Sequence, residues 1–110
     1  MINFIEKGIC APKGFKANGI HCGIRKNTSK KDLAFILSDI MCNCAAIYTT
    51  NKVKGAPILV TKENIKNNKA QAVIVNSGNA NTCNADGIEK AEMMCKMASK
   101  ETGIDKTDIV

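Results

Sequence analysis

Ala72-Val73-Ile74-Val75-Asn76-Ser77-Gly78-Asn79-Ala80-Asn81 is the stretch on which the fold turns. Its first four residues are apolar at every position, which predicts a short strand buried on both faces. The run stops abruptly at Asn76, and a loop rich in Asn, Ser and Gly follows. Downstream, Asp86 to Thr102 has the clearest helical signature in the chain. Ile88, Ala91, Met94, Cys95 and Ala98 recur at helical spacing and form one apolar face. Lys90, Glu92, Lys96, Ser99, Lys100 and Glu101 cover much of the rest. Asp86 and Glu89 are spaced as a capping box, and Gly103 stands where a left-handed residue ends a helix. Asp105 to Asp108 reads as a loop and Ile109-Val110 as the start of another strand. A strand, a polar loop, a helix and a strand in this order predict an α/β arrangement.

Upstream the pattern is shorter in period. The first dozen residues, closing on Ala11-Pro12, read as an irregular lead-in. Between Gly14 and Ile24, Asn18-Gly19 separates two alternating stretches and predicts a tight hairpin turn. Arg25 to Asp32 is polar and basic, as exposed loops are. Leu33 to Ile40 and Ala45 to Thr50 read as an antiparallel pair of strands, with Cys42 to Cys44 connecting or bulging between them. Pro57 to Val60 reads as a third short strand, after which Thr61 caps a brief helix over residues 62–67 with Asn64 at its third position. Four or five strands with one long and one short helix make a mixed α/β domain.

Composition excludes several classes. The chain has 110 residues, of which 45% are hydrophobic and 24% charged, so a packed core is within reach. Only 4% are aromatic, with no Trp, which argues against a platform that stacks single-stranded bases. No apolar run approaches the roughly 20 residues that span a bilayer, and the acid at Glu6 interrupts any secretory-type start. The net charge of +6 is spread along the sequence. It reads as a solvated lysine-rich surface, with attraction of an anionic small-molecule substrate as the other explanation. Six cysteines are many for this length. Cys42-Asn43-Cys44 has one intervening residue where paired zinc thiols usually have two to four, so free, largely buried thiols in a reducing cytosol are expected, ahead of a metal site.

Little in the local patterns carries chemistry. Asn76, Ser77, Gly78, Asn79 and Asn81 follow a strand and precede a helix, the place where ligands sit in open α/β sheets. Their short polar side chains suit a carboxylate, amide or phosphate, and equally suit a turn whose Asn residues satisfy their own backbone. Thr49-Thr50 has no base beside it in sequence, and His21 is the one histidine. Asp39 sits within an apolar run, either as a buried carboxylate or as a solvent-facing residue. No nucleophile, base and orienting acid come together.

Several segments taken in order are more specific. Ala11-Pro12-Lys13-Gly14-Phe15-Lys16-Ala17, Asp32-Leu33-Ala34, Ser38-Asp39, Ala45-Ala46 with Thr49-Thr50-Asn51, Ala56-Pro57, and Val75-Asn76-Ser77-Gly78-Asn79-Ala80-Asn81 followed by Cys83 span nearly all of the chain. This series resembles the amino-terminal part of the bifunctional glutamate N-acetyltransferase/ornithine acetyltransferase family of arginine biosynthesis. The resemblance implies a mixed α+β sandwich of threonine-nucleophile type, in cytoplasmic enzymes that cleave themselves into α and β chains and assemble as two of each. It implies acetyl transfer from N-acetylornithine, or from acetyl-CoA as an alternative donor substrate, to glutamate through an acyl-threonine. It implies neither a cofactor nor a metal.

The sequence is much shorter than that family's members. The family's Thr-Gly oxyanion motif would begin just past Val110, and neither Thr49-Thr50 nor Thr107 matches the nucleophile. The expectation is therefore a single incomplete domain over residues 1–110, an amino-terminal α-chain segment inactive alone. Its partners would be the rest of the α chain and the β chain, with no nucleic acid or membrane involved. No catalytic residue is expected in it, and Asn76, Ser77, Gly78, Asn79 and Asn81 are the substrate-proximal candidates. A stand-alone module that binds a small ligand or a protein is the second reading, and a basic nucleic-acid-binding domain a distant third.

Overall fold

Strand β3, Lys69–Asn76, has a neighbour on each side. The computed structural model describes residues 1–110. On one side β3 pairs antiparallel with β2, Leu33–Asn43, which pairs in turn with β1, Phe15–Ile20. On its other side Ile109 and Val110 run parallel to it: Val110 N–H donates to Ala72 O at 2.9 Å, and Ile74 N–H to Val110 O at 2.7 Å. The expected strand start at Ile109 is therefore present. It joins β3 by the long connection that a parallel neighbour needs, through helix α2, Gly87–Thr102. The architecture is mixed α/β, as the pattern predicts.

The core lies between the sheet and the helices. Helix α1, Ala56–Asn64, and α2 pack on the face that carries Phe35, Leu37, Ala72 and Ile74. Val60, Cys95, Ala98, Ile104 and the fully buried Ile109 fill the space between. Asn64, at the end of α1, donates its Nδ2 to Ile109 O at 2.9 Å and to Lys106 O at 3.2 Å, which ties α1 to the returning strand. Residues one step along each strand, among them Ile36, Val73 and Val75, look toward the other face, where Val75 is 46% exposed. Only ten of the 110 residues are buried, so burial of β3 on both faces does not hold within this chain.

Four local expectations are corrected. Asn18-Gly19 is not a hairpin turn: β1 pairs with β2 without interruption from Phe15↔Ser38 to Ile20↔Leu33, and neither residue has the positive φ such a turn requires. Six consecutive cross-strand pairs outweigh a local turn preference. The reversal falls instead in residues 21–32. Residues 57–60 are helical rather than extended. Pro57 sits in the first turn of α1, where its missing N–H costs nothing, and Thr61 lies inside the helix rather than capping it. A four-residue apolar run fits either conformation, and here Val60 is buried in one cluster with Cys95 and Ala98 of α2 while Leu59 faces out.

Residues 45–50 form no strand. The ladder ends at Asn43↔Lys69, followed by one more bond from Cys44 N–H to Asn68 O at 2.8 Å; residues 45–50 meet no opposing strand, and Ile47 is fully exposed. The bulge is real but lies earlier: five steps along β2, Leu37 to Cys42, match two on β3, Ala72 to Ala70. Gln71 bridges the gap by donating Nε2 to Ser38 O at 3.2 Å. The capping box is the fourth correction. Asp86 precedes α2 without capping it by its side chain, and Asp86 instead pairs with Lys90 one turn on. Gly103 has the expected left-handed φ of 76°. Ile88 at the start of the helix is exposed, whereas Cys95 and Ala98 are buried.

Asp39 is exposed and paired with Lys16 Nζ at 2.6 Å. All six thiols are free, but Cys10, Cys22 and Cys83 are exposed and Cys95 alone is buried, so the expectation of largely buried thiols fails. Residues 106–108 form one turn of 3-10 helix rather than an open loop. The fold predicts that Ile109→Ala costs about 2–5 kcal/mol in a denaturant titration, as large-to-small core changes do. Leu59→Ala, on the exposed side of α1, should cost less than about 1 kcal/mol. Equal costs would place the core elsewhere.

Candidate active site

The chain leaves the sheet at Asn76, and the loop from Asn76 to Asn81 is held from two sides. On the helical side, Asn76 and Asn81 face each other across the loop's neck. Asn81 Nδ2 donates to Asn76 Oδ1 at 2.7 Å, and Asn76 Nδ2 to Asn81 Oδ1 at 3.3 Å. The pair uses one N–H and one lone pair of each amide and leaves one of each free to meet another molecule. Asn81 has φ 54°, a left-handed conformation that Asn tolerates, and Asn79 Oδ1 accepts its N–H at 3.1 Å.

The same loop anchors α1, and the start of α2 packs against the start of α1 beside it. Asn81 O accepts the N–H of Ala56, the first residue of α1, at 3.0 Å and so satisfies one of the helix's orphan donors. Gly87, the first residue of α2, approaches so closely that a Cβ there would lie 2.9 Å from Ala56 Cβ. Between the two helix starts and the loop is a cleft of about 140 Å³, walled by Pro57, Asn79, Asn81, Asn84, Asp86 and Lys90 and floored by Ala91 and Met94. A smaller hollow beside it is lined by Asn76, Thr61 and Cys95 and shares Pro57, Ala91 and Met94 with it.

The cleft's electrostatics come from one ion pair. Lys90 Nζ lies 2.7 Å from Asp86 Oδ2. Lys90 holds the Asp86 carboxyl below its ordinary range, and Asp86 raises the Lys90 ammonium, so both are charged at neutral pH. A positive group, a negative group and several amides in one small cleft suit a zwitterionic ligand that also carries an amide. No hydroxyl, thiol or imidazole lines the cleft. In the adjoining hollow, burial pushes the Cys95 thiol up, away from the reactive thiolate.

On the other side, Ser77 and Gly78 are clasped by the loop that joins β1 to β2. Ser77 N–H donates to Asp32 O at 2.8 Å, and Arg25 Nε donates to Ser77 Oγ at 3.3 Å. Gly78 has φ 95°, and a Cβ there would lie 2.6 Å from Arg25 Cγ, so only glycine lets the arginine stem cross it. The five candidates therefore divide: Asn76, Asn79 and Asn81 border the cleft or its hollow, while Ser77 and Gly78 fasten the loop to its neighbour.

Asp32 organises that neighbour, although residues 25–32 read as exposed loop. Its side chain is fully buried, and its oxygens accept Cys22 N–H at 2.7 Å and Arg25 N–H at 2.8 Å, with His21 Nδ1 at 3.1 Å. The Arg25 amide above all holds the carboxyl far below the usual range, against the opposing effect of burial. Sequence reasoning missed Asp32, Arg25 and the Asp86–Lys90 pair. The partners of Asp32 are backbone amides, which leave no side-chain pattern to read. The i, i+4 spacing of Asp86 and Lys90 was legible.

His21 is committed elsewhere: its Nδ1 also lies 3.1 Å from Lys30 O. Thr49 Oγ1 accepts Asn51 N–H, and Thr107 Oγ1 donates to Asp105, so these threonines serve local turns.

Comparison with known proteins fits this geometry into a family. The profile of the ArgJ family matches residues 16–110. The chain belongs to the ArgJ family. It is 46% identical over 110 residues to the arginine biosynthesis bifunctional protein ArgJ of Caldanaerobacter subterraneus subsp. tengcongensis, covering 99% of this chain and 27% of that protein. The ArgJ protein of Streptococcus mutans is 39% identical over 118 aligned residues, covering 99% of this chain and 29% of that protein. The crystal structure of ArgJ from Bacillus halodurans matches with a TM-score of 0.87 at 38% identity, over 93% of this chain and 53% of that chain. Ornithine acetyltransferase of Mycobacterium tuberculosis, solved in complex with ornithine, matches with a TM-score of 0.79 at 30% identity, over 93% of this chain and 56% of that chain. This ArgJ-family chain spans about a quarter of the length of the curated relatives it matches.

The depressed carboxyls give a pH prediction. Asp32, Asp86 and Asp105 all titrate below their ordinary value in the folded chain. A group depressed on folding stabilises the fold above its unfolded pKa and loses that contribution as pH falls. Stability should therefore decline from about pH 5 downward. In Asp32→Asn that decline should be shallower, as read by denaturant midpoints across the range. An unchanged slope would show that Asp32 is not held ionised by its loop.

Proposed function

We propose that this chain is the amino-terminal scaffold of an acetyltransferase of arginine biosynthesis and forms one wall of its substrate pocket. In this reading the enzyme moves an acetyl group from N-acetylornithine, with acetyl-CoA as an alternative donor, to glutamate. The acyl group rests on a threonine that lies outside these 110 residues. The remainder of the α chain and the β chain of the same precursor complete the pocket, and the assembly contains two of each. Membership of the ArgJ family, with relatives named as bifunctional arginine biosynthesis proteins and one solved with ornithine, supports it.

The observation that carries the chain's own part is the Asn76–Asn81 amide pair beside a cleft holding both signs of charge. N-acetylornithine has an α-carboxylate, a side-chain ammonium and an acetamide, and the cleft offers a complementary group for each. Free amide donors held in place by their own pairing are preorganised, which favours orientation of a polar substrate without reorganisation. The one threonine hydroxyl that meets a carboxylate, Thr107 Oγ1 on Asp105, serves a local turn and is not among the residues that line the cleft.

Two measurements test this. The 110 residues alone should give no acetyl exchange between N-acetylornithine and glutamate, with exchange appearing once the remaining polypeptide is produced with them. Turnover by this chain alone would overturn the reading. In the full-length enzyme, Asn81→Ala should lower kcat/KM for N-acetylornithine by roughly tenfold or more, the equivalent of one lost polar contact. An unchanged kcat/KM would remove the loop from the pocket.

A further inference from the structure

We propose that Asp32 is a positioning residue for the Asn76–Asn81 loop, acting at a distance through Arg25 and Ser77. The inference rests on the reading that this loop borders the substrate. Asp32 itself touches none of the cleft-lining residues by hydrogen bond. It is the fully buried centre of the β1–β2 connection, and both its oxygens are occupied by residues 21, 22 and 25. His21 Nδ1 lies 3.1 Å from a carboxylate and 3.1 Å from a carbonyl, both acceptors, so this nitrogen carries a proton. Two backbone donors on one carboxylate, with His21 Nδ1 packed 3.1 Å from it, give residues 21–25 a defined path, and that path sets the direction in which the Arg25 side chain leaves.

The arginine then fastens the loop. Its stem crosses Gly78 with no room for a Cβ, and its Nε–H reaches Ser77 Oγ. Asp32 holds the same residue a second time through its own carbonyl, which accepts Ser77 N–H. Asp32, Arg25 and Ser77 thus close a ring, half through main chain and half through side chains, inside the loop that the Asn76–Asn81 pair closes. Arg25 is the single arginine of the chain, and no carboxylate side chain is paired with it. Lysine is a poor substitute, because it has no Nε–H partway along a planar fork. Loosening the ring displaces Ser77 and Gly78, and small displacements of positioning groups are expensive in rate.

The test uses the full-length enzyme with Asp32→Asn, Arg25→Ala, Arg25→Lys, the Asp32→Asn/Arg25→Ala double variant, and Asn81→Ala. Lys16→Ala, which removes only the exposed Lys16–Asp39 pair, is the control. Acetyl transfer to glutamate and hydrogen–deuterium exchange of the segment 76–81 are both measured. Asp32→Asn and Arg25→Ala should each lower kcat/KM by about tenfold. The double variant should be no worse than the more severe single, since both cut one link. Arg25→Lys should not rescue. Exchange across 76–81 should quicken while that of α2 stays the same.

Unimpaired transfer and unchanged exchange in Asp32→Asn and Arg25→Ala, with Asn81→Ala impaired, would overturn the inference and leave the pocket reading intact. If Asn81→Ala is also unimpaired, the pocket reading fails, and the exchange of 76–81 alone decides whether Asp32 sets the loop. Should Asp32→Asn not accumulate folded, the two variants of the half-buried Arg25 carry the same test.

Discussion

A single buried carboxylate organises the end of the sheet where the candidate site lies. Asp32 takes no ion-pair partner from Lys or Arg. It is held ionised mainly by backbone amides, donors that cannot leave without unfolding the turn that supplies them. Because Asp32 immediately precedes β2, the turn it builds is locked to the strand that pairs with both β1 and β3. Because its carbonyl receives Ser77 N–H, the loop after β3 is locked to that turn as well. One residue therefore couples the hairpin connection, the sheet and the Asn loop.

A second set of constraints acts from the helices. Asn81 O on the first amide of α1, and the close passage of Gly87 beside Ala56, bring two helix starts to one loop. The loop is thus clamped between a buried charge on one side and helix termini on the other. The Asn76 and Asn81 side chains hold each other within that clamp, and polar groups fixed in this way need no reorganisation to meet another polar group. The cleft contributes charge, amide groups and shape. No hydroxyl or thiol lines it.

The three secondary-structure readings that failed share a cause. Asn18-Gly19, Pro57 to Val60 and Ala45 to Thr50 were each read from a few adjacent residues, and each was decided by partners far away. Six cross-strand pairs straightened the first, packing of Val60 against α2 made the second helical, and the absence of an opposing strand left the third without a ladder. The readings that held have more behind them: β3 is rich in β-branched residues and pairs along β2, and α2 carries a helical face sustained over four turns. Conformations encoded redundantly along the chain survive tertiary context, whereas those encoded once do not.

The site follows the same division. The Asn76 to Asn81 loop was legible because its composition is unusual and its position after a strand has a physical meaning. Its family was legible because ordered segments across the chain carry the resemblance. The sequence by itself thus determined the mixed α/β class, the strand through Ala72 to Val75, the long helix and the loop that ends the strand. The tertiary structure alone decided that Asp32 is buried, that Arg25 crosses Gly78, and that Asn76 and Asn81 pair. Those contacts join residues tens of positions apart, largely through backbone groups that every residue possesses, so no side-chain pattern announces them.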